Sequence, residues 1–173
     1  CTRAAIEAFG GIDIFINSAG IAPSAPLHKM PLEDWNRVLA VNLTGPFLLT
    51  KEVLPGMLER KWGRVIHVAS IAGKSGMQYV SAYCASKHGL MGMIRATALE
   101  VAPKGVTING ICPGYVESPM TDDNVARIAE RTGHSPESVR GKMESFSPQR
   151  RLIEADEVAA TAVYLAGESA RGI

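Results

Sequence analysis

Long apolar runs are missing from this 173-residue chain: no stretch approaches the ~18 uninterrupted apolar residues that a membrane-spanning helix needs. The first residues also lack the basic-then-apolar pattern of a secretory signal. Cysteine is scarce. Cys1, Cys84 and Cys112 are odd in number and lack metal-type spacing, which argues against a disulfide framework and a metal site and points to a reduced, cytoplasmic setting. No charge excess of either sign exists. The 18 Lys and Arg against 17 Asp and Glu are spread along the chain, so neither nucleic acid nor membrane is an expected partner and a small molecule is. Repeats and low-complexity tracts are absent too. What the chain does have is apolar content, 46%, enough for one substantial core, so a single domain over residues 1–173 is expected. Its ends read as cut: Cys1 opens inside a helical pattern running from Thr2 to Phe9, and residues 170–173 stop without a terminal element. The expectation is therefore a partial domain.

Strand and helix patterns alternate along the chain. Ile12 to Asn17 is a short apolar, β-rich run that reads as a buried strand entering a tight loop, and Gly63 to Ser70 and Val106 to Ile111 read as two more. Between them lie helical stretches over 31–41, 46–60 and 81–102, with Asn42 to Gly45 as an interruption and Pro55 expected to kink or divide the second. Strands apolar on both faces, separated by helices, predict a parallel sheet covered on each side. The fold class is thus α/β, a doubly wound Rossmann-like sheet with its ligand at the C-terminal strand ends. Helix 81–102 is apolar around most of its circumference, and Gly89, Gly92 and Ala96 give it a face for close approach. Either one chain buries all of it or a second subunit does; the reading adopted is a homo-oligomer, dimer or tetramer, through helices 46–60 and 81–102. Residues 118–151 read as two short helices with modest apolar faces, Val125/Ile128/Ala129 and Val139/Met143/Phe146. They form a substrate lid or an ordinary surface pair, and the lid is the expectation carried forward. Ala155 to Leu165 is the last helix.

Tyr83 and Lys87 stand four residues apart, one turn of helix, so phenol and ammonium share a face. A free phenol with a pKa near ~10 is too weakly acidic to act as a base at neutrality, and a neighbouring positive charge favours the phenolate. Such a pair alone is common on surfaces. Ser70, closing the preceding strand, adds a hydroxyl at the sheet edge where the next helix begins; it is either a strand terminator or a group that bonds a substrate oxygen while Tyr83 moves the proton.

Five motifs then fall in order and register: Asn17-Ser18-Ala19-Gly20, Val41-Asn42-Leu43-Thr44-Gly45, Val68-Ala69-Ser70, Tyr83-Cys84-Ala85-Ser86-Lys87 and Pro113 to Met120. Together they resemble the signature of the short-chain dehydrogenase/reductase family, over essentially the whole chain. The resemblance implies an oxidoreductase, a homotetramer in its usual assembly, that uses NAD or NADP to interconvert a secondary alcohol and a ketone. It makes Tyr83 the acid/base, Lys87 the group that lowers its pKa and binds the nicotinamide ribose, Ser70 the orienter of the reacting oxygen, and Asn42 the holder of a relay water. Asn17, Ala19 and Gly20 would line the adenosine side of the cofactor, with Tyr83 and Lys87 at the nicotinamide. Pro113, Gly114, Val116 and Ser118 would border the nicotinamide and pyrophosphate, and no metal is implied.

There are departures. The glycine-rich loop that opens such proteins is absent from this sequence, as is the last strand, while Ser18 and Ser118 replace an asparagine and a threonine. The chain looks most like 3-oxoacyl and 3-hydroxyacyl reductases and 3-hydroxybutyrate dehydrogenases. Ala22 and Ala72 occupy positions where the hydroxybutyrate enzymes carry polar carboxylate ligands, which favours the acyl-thioester type. The competing reading is a non-catalytic fragment that keeps an oligomerising core without binding nucleotide.

Overall fold

The computed structural model describes residues 2–173; Cys1, expected to open the first helix as a reduced thiol, lies outside them. Ten regular elements follow in order: α1 (Thr2–Phe9), β1 (Ile14–Asn17), α2 (Leu32–Leu39), α3 (Gly45–Arg60), β2 (Gly63–Val68), α4 (Ser81–Val101), β3 (Val106–Ile111), α5 (Pro119–Thr132), α6 (Pro136–Ser145) and α7 (Ala155–Ala166). The strands form one parallel sheet in the order β1-β2-β3. With helices against both of its faces, this is the expected doubly wound, Rossmann-like α/β arrangement.

Two compact units make up the chain, residues 1–112 with 161–173, and residues 113–160. In the first, Val65, Val106 and Ile108 face α3 and α4, meeting Val53, Met57, Leu90, Met91 and Ile94. Gly110 lies on this face because α4 packs so closely: a Cβ there would sit 2.9 Å from Ile94 Cδ1. The opposite face is covered by Ala162, Leu165 and Ala170 over Ile66 and Ile111. That cover stops short of β1. Ile14 and Ile16, in register with Arg64 and Ile66, are 44% and 46% exposed, so burial of both strand faces fails at β1. The second unit has a small core of its own, Val125, Val139, Met143 and Leu152, backed by Tyr115 and Ile128. Phe146, expected on the apolar face of α6, is instead mostly exposed and only leans on the Tyr115 ring.

Two further expectations need correction. Pro55 neither breaks nor divides α3, which runs through it to Arg60. Its ring is exposed, as is Lys51, whose carbonyl it deprives of a partner, so solvent can take the bond that the helix loses. Nor does Asn42 to Gly45 interrupt the helical run. Residues Ala40–Thr44 form a π-helical turn that joins α2 to α3 without a break, with Gly45 N–H donating to Ala40 O.

Strand β2 carries two polar residues that its apolar pattern hides. Arg64 is buried and donates to Glu168 at 3.2 Å, with its guanidinium 4.7 Å from the Trp62 ring, while Trp62 Nε1 donates to the same carboxylate at 2.7 Å. His67 is fully buried among Thr50, whose Oγ1 is 3.3 Å from Nε2, and Phe15, whose ring meets it edge-on at 6.1 Å. Burial first, and the Lys87 charge second, push the His67 pKa down from 6.5 to about 4. Between these values the unfolded chain binds a proton that the native imidazole refuses, so stability is undiminished above pH 6.5 and falls as the pH drops toward 4. The loss should reach roughly 2 kcal/mol by about pH 5. Urea titrations at the two ends of this window check it: His67→Asn should lose clearly less stability on acidification than the wild type.

Candidate functional site

The site is built at the C-terminal ends of β1 and β2, where α4 begins. Strand β2 ends at Val68, and Ser70 follows as the N-cap of a short 3₁₀ turn, Ile71–Gly73, its Oγ accepting from Ala72 N–H at 3.1 Å. That turn lies directly on α4. A Cβ on Gly73 would be 2.8 Å from Lys87 O, so only glycine permits the approach. The chain then returns through Tyr79, held at φ 65°, whose carbonyl accepts from Ala25 N–H at 2.8 Å and ties the loop after β1 to the loop before α4.

Four of the expected catalytic residues meet here. Ser70 sits close enough to Tyr83 for its hydroxyl to favour the ionised phenol. Lys87 is buried, donates from Nζ to Val68 O at 2.9 Å, and holds Nζ 5.6 Å from the Tyr83 ring centroid. Asn42, fully buried in the π-helical turn, accepts from Ile21 N–H at 2.8 Å through Oδ1 and donates back to Ile21 O at 2.8 Å through Nδ2. The second amide hydrogen reaches Ser86 Oγ at 3.1 Å.

Electrostatics here differ from the simple expectation of a phenol acidified by its neighbour. Burial holds the Tyr83 pKa above its usual value, outweighing the hydrogen bond from Ser70 that pulls it down. Burial also lowers Lys87 from 10.5 to about 8, against a smaller opposing influence of Cys112. Each ionisation thus changes the charge of a largely dry site.

Could this chain hold a dinucleotide? Gly20 lies against the polar cluster: a Cβ there would be 3.5 Å from Asn42 Oδ1 and 3.7 Å from Lys87 Nζ, so the loop leaves its narrow space open beside the ammonium. Lys87 has three donors, and Val68 O takes one. A ribose diol, with two oxygens to offer, fits the remainder. Asn17 is buried at the end of β1 with Nδ2 unpartnered among the described residues, and Ala19 is exposed beside it. Pro113, Gly114, Val116 and Ser118 belong to the second unit. There Val116 bridges to Ile153, and Ser118 caps α5 and donates to Val116 O at 3.3 Å.

Sequence reasoning passed over Ser86 and His67. A serine within a helix and a histidine within an apolar strand carry no spacing signal; only the fold puts the first against Asn42 and the second behind Lys87.

Comparison with known proteins adds to this geometry. A family model described as short chain dehydrogenase matches residues 1–129. The D-beta-hydroxybutyrate dehydrogenase of Rhizobium meliloti (strain 1021) is 40% identical over 168 residues, covering 96% of this chain and 65% of that protein. An acetoacetyl-CoA reductase of Shinella zoogloeoides is 39% identical over 168 residues, with 96% and 66% covered. Among solved structures, the F189W variant of actinorhodin polyketide ketoreductase with NADPH superposes with a TM-score of 0.94 at 36% identity, over 99% of this chain and 67% of that one. The chain spans about two thirds of the length of the proteins that it matches.

Proposed function

Because this chain belongs to the short-chain dehydrogenase family, we propose that its site serves an NAD- or NADP-dependent oxidoreductase interconverting a secondary alcohol and a ketone. The observation that carries this reading is the convergence of Ser70, Tyr83 and Lys87 at one edge of a parallel sheet. When bound, the nicotinamide supplies or accepts the hydride. The chain's own residues handle the rest. Ser70 Oγ orients the reacting oxygen, and Tyr83 Oη gives it a proton in the reducing direction and removes one in the oxidising direction. Lys87 Nζ, anchored on Val68 O, biases Tyr83 toward its ionised form against the burial that opposes it. Asn42 would hold the relay water. Asn17, Ala19, Gly20, Tyr83, Lys87, Pro113, Gly114, Val116 and Ser118 would hold the dinucleotide.

A 3-oxoacyl or 3-hydroxyacyl thioester is the proposed substrate class. Ala72 is buried and Ala22 half-buried, and neither offers a free carboxylate a partner. The relative named D-beta-hydroxybutyrate dehydrogenase favours a second reading, in which a short hydroxy acid is turned over. Residues 118–151 are assigned the substrate lid, held together by Arg140, which reaches Glu117 and Asp122. The assembly proposed is a homotetramer through α3 and α4, where Leu48 and Leu99 are 52% and 81% exposed. A cytoplasmic location fits Cys84 and Cys112 as free thiols. No described helix is long and apolar enough to cross a membrane.

Incubating the full-length protein with reduced nicotinamide nucleotide and either acetoacetyl thioester or free acetoacetate separates the two substrate readings. Faster oxidation of the nucleotide with the thioester is the expected result. Preference for the free acid would replace the first reading by the second, and no turnover with either would overturn both.

A further inference from the structure

We propose that Ser86 is a positioning residue of this site, acting through Asn42 and not on substrate; the inference rests on the function proposed above. Ser86 is fully buried on α4, between the turn that carries Tyr83 and the lysine that follows it. Its Oγ donates to Tyr83 O at 2.8 Å, the local back-bond that a helical serine often makes. That bond spends its only hydrogen. Toward Asn42, 3.1 Å away, the hydroxyl can therefore act only as an acceptor.

This polarity fixes the direction of the Asn42 carboxamide. With Nδ2 toward Ser86, one amide hydrogen goes to Ser86 Oγ and the other to Ile21 O, while Oδ1 receives Ile21 N–H. A flipped amide would set Oδ1 against the Ser86 oxygen and Nδ2 against the Ile21 N–H, losing three bonds at once. Asn42 in turn clamps the backbone of Ile21, and the adjoining Gly20 is the wall that runs beside Lys87 Nζ. Ser86 thus ties the loop after β1 to the helix turn bearing both Tyr83 and Lys87. A helix position needing only a small buried side chain would be filled equally well by alanine, a better helix former.

The test is Ser86→Ala in the full-length protein, alone and combined with Asn42→Ala. Alanine is small and helix-compatible, so folding should persist. Turnover should fall about tenfold in the single variant, the scale of one lost buried hydrogen bond. In the Asn42→Ala background the same change should cost less than about twofold, because the partner through which Ser86 acts has gone. Wild-type turnover in Ser86→Ala, or losses that simply multiply, would overturn the proposal. A second readout does not depend on turnover. The Asn42 side-chain amide, seen by NMR, should exchange slowly with solvent in the wild type and at least about tenfold faster in Ser86→Ala, whereas equal exchange would sink the positioning role. If the wild type has slow amide exchange and turns nothing over, the positioning role stands and the enzymatic reading falls.

Discussion

Tyr83→Phe should lower kcat by about three orders of magnitude or more while leaving nucleotide affinity within roughly fivefold of the wild type. The substitution removes one oxygen and keeps the ring, so its packing against the Lys87 ammonium survives. What disappears is the hydroxyl that, in the proposed function, passes the proton to the reacting oxygen. Ser70 is not a substitute, because an aliphatic hydroxyl is far too weak an acid. The pH dependence of the wild type gives an independent check. Burial raises the Tyr83 pKa, so the phenol is protonated throughout the neutral range. Ketone reduction, which needs the protonated form, should be nearly flat there, and alcohol oxidation, which needs the phenolate, should climb toward alkaline pH. Steady-state rates in both directions would show the asymmetry.

Lys87→Met is expected to separate activity from stability. Nζ lies 5.6 Å from the Tyr83 ring centroid. At an effective dielectric near 20, a unit charge at such a distance is worth about 3 kcal/mol to a phenolate, or roughly two orders of magnitude in its formation. Loss of the ribose contacts should add to this, for a total kcat loss of two to three orders of magnitude. Stability should move the other way. The Lys87 pKa falls from 10.5 to about 8, so the native state carries a penalised buried charge at every pH below 8. Between 8 and 10.5 the unfolded chain holds the extra proton, and wild-type stability should rise with pH over that window. Methionine removes the penalty but leaves Val68 O without its donor, for a net gain of about 1–2 kcal/mol near neutrality. Urea denaturation should find the variant more stable than the wild type at neutral pH, and without the alkaline rise. A less stable Lys87→Met would mean that the bond to Val68 O outweighs the cost of the buried charge.

Much of this could be read from the residues, for identifiable reasons. Tyr83 and Lys87 are four apart on one helix, and a spacing within one helix survives folding unchanged. Strands β2 and β3 announced themselves because both of their faces are covered and their sequences are correspondingly apolar. Strand β1 reads the same way, yet Ile14 and Ile16 are exposed in this chain, which spans about two thirds of the length of the proteins that it matches. Asn42 to Gly45 reads as an interruption because the i+5 bonding of the Ala40–Thr44 turn has no propensity signature. Pro55 reads as a kink or division of α3, because exposure, which makes it tolerable, is a tertiary property. The clamp of Asn42 on Ile21 joins residues 21 apart in sequence, and the bridge to Ser86 joins residues 44 apart. Contacts of that kind follow from the fold and cannot be counted off along the chain.

In the proposed function, the cluster of Ser70, Tyr83 and Lys87 carries out alcohol–ketone interconversion with a nicotinamide. Its most direct test is a single turnover of the full-length protein with a 3-oxoacyl thioester and reduced nucleotide bearing deuterium on the transferable position of the ring. The product from the wild type should carry one deuterium on its carbinol carbon, and Tyr83→Phe should transfer none within the same time. Product without deuterium, or equal transfer by the two proteins, would contradict it.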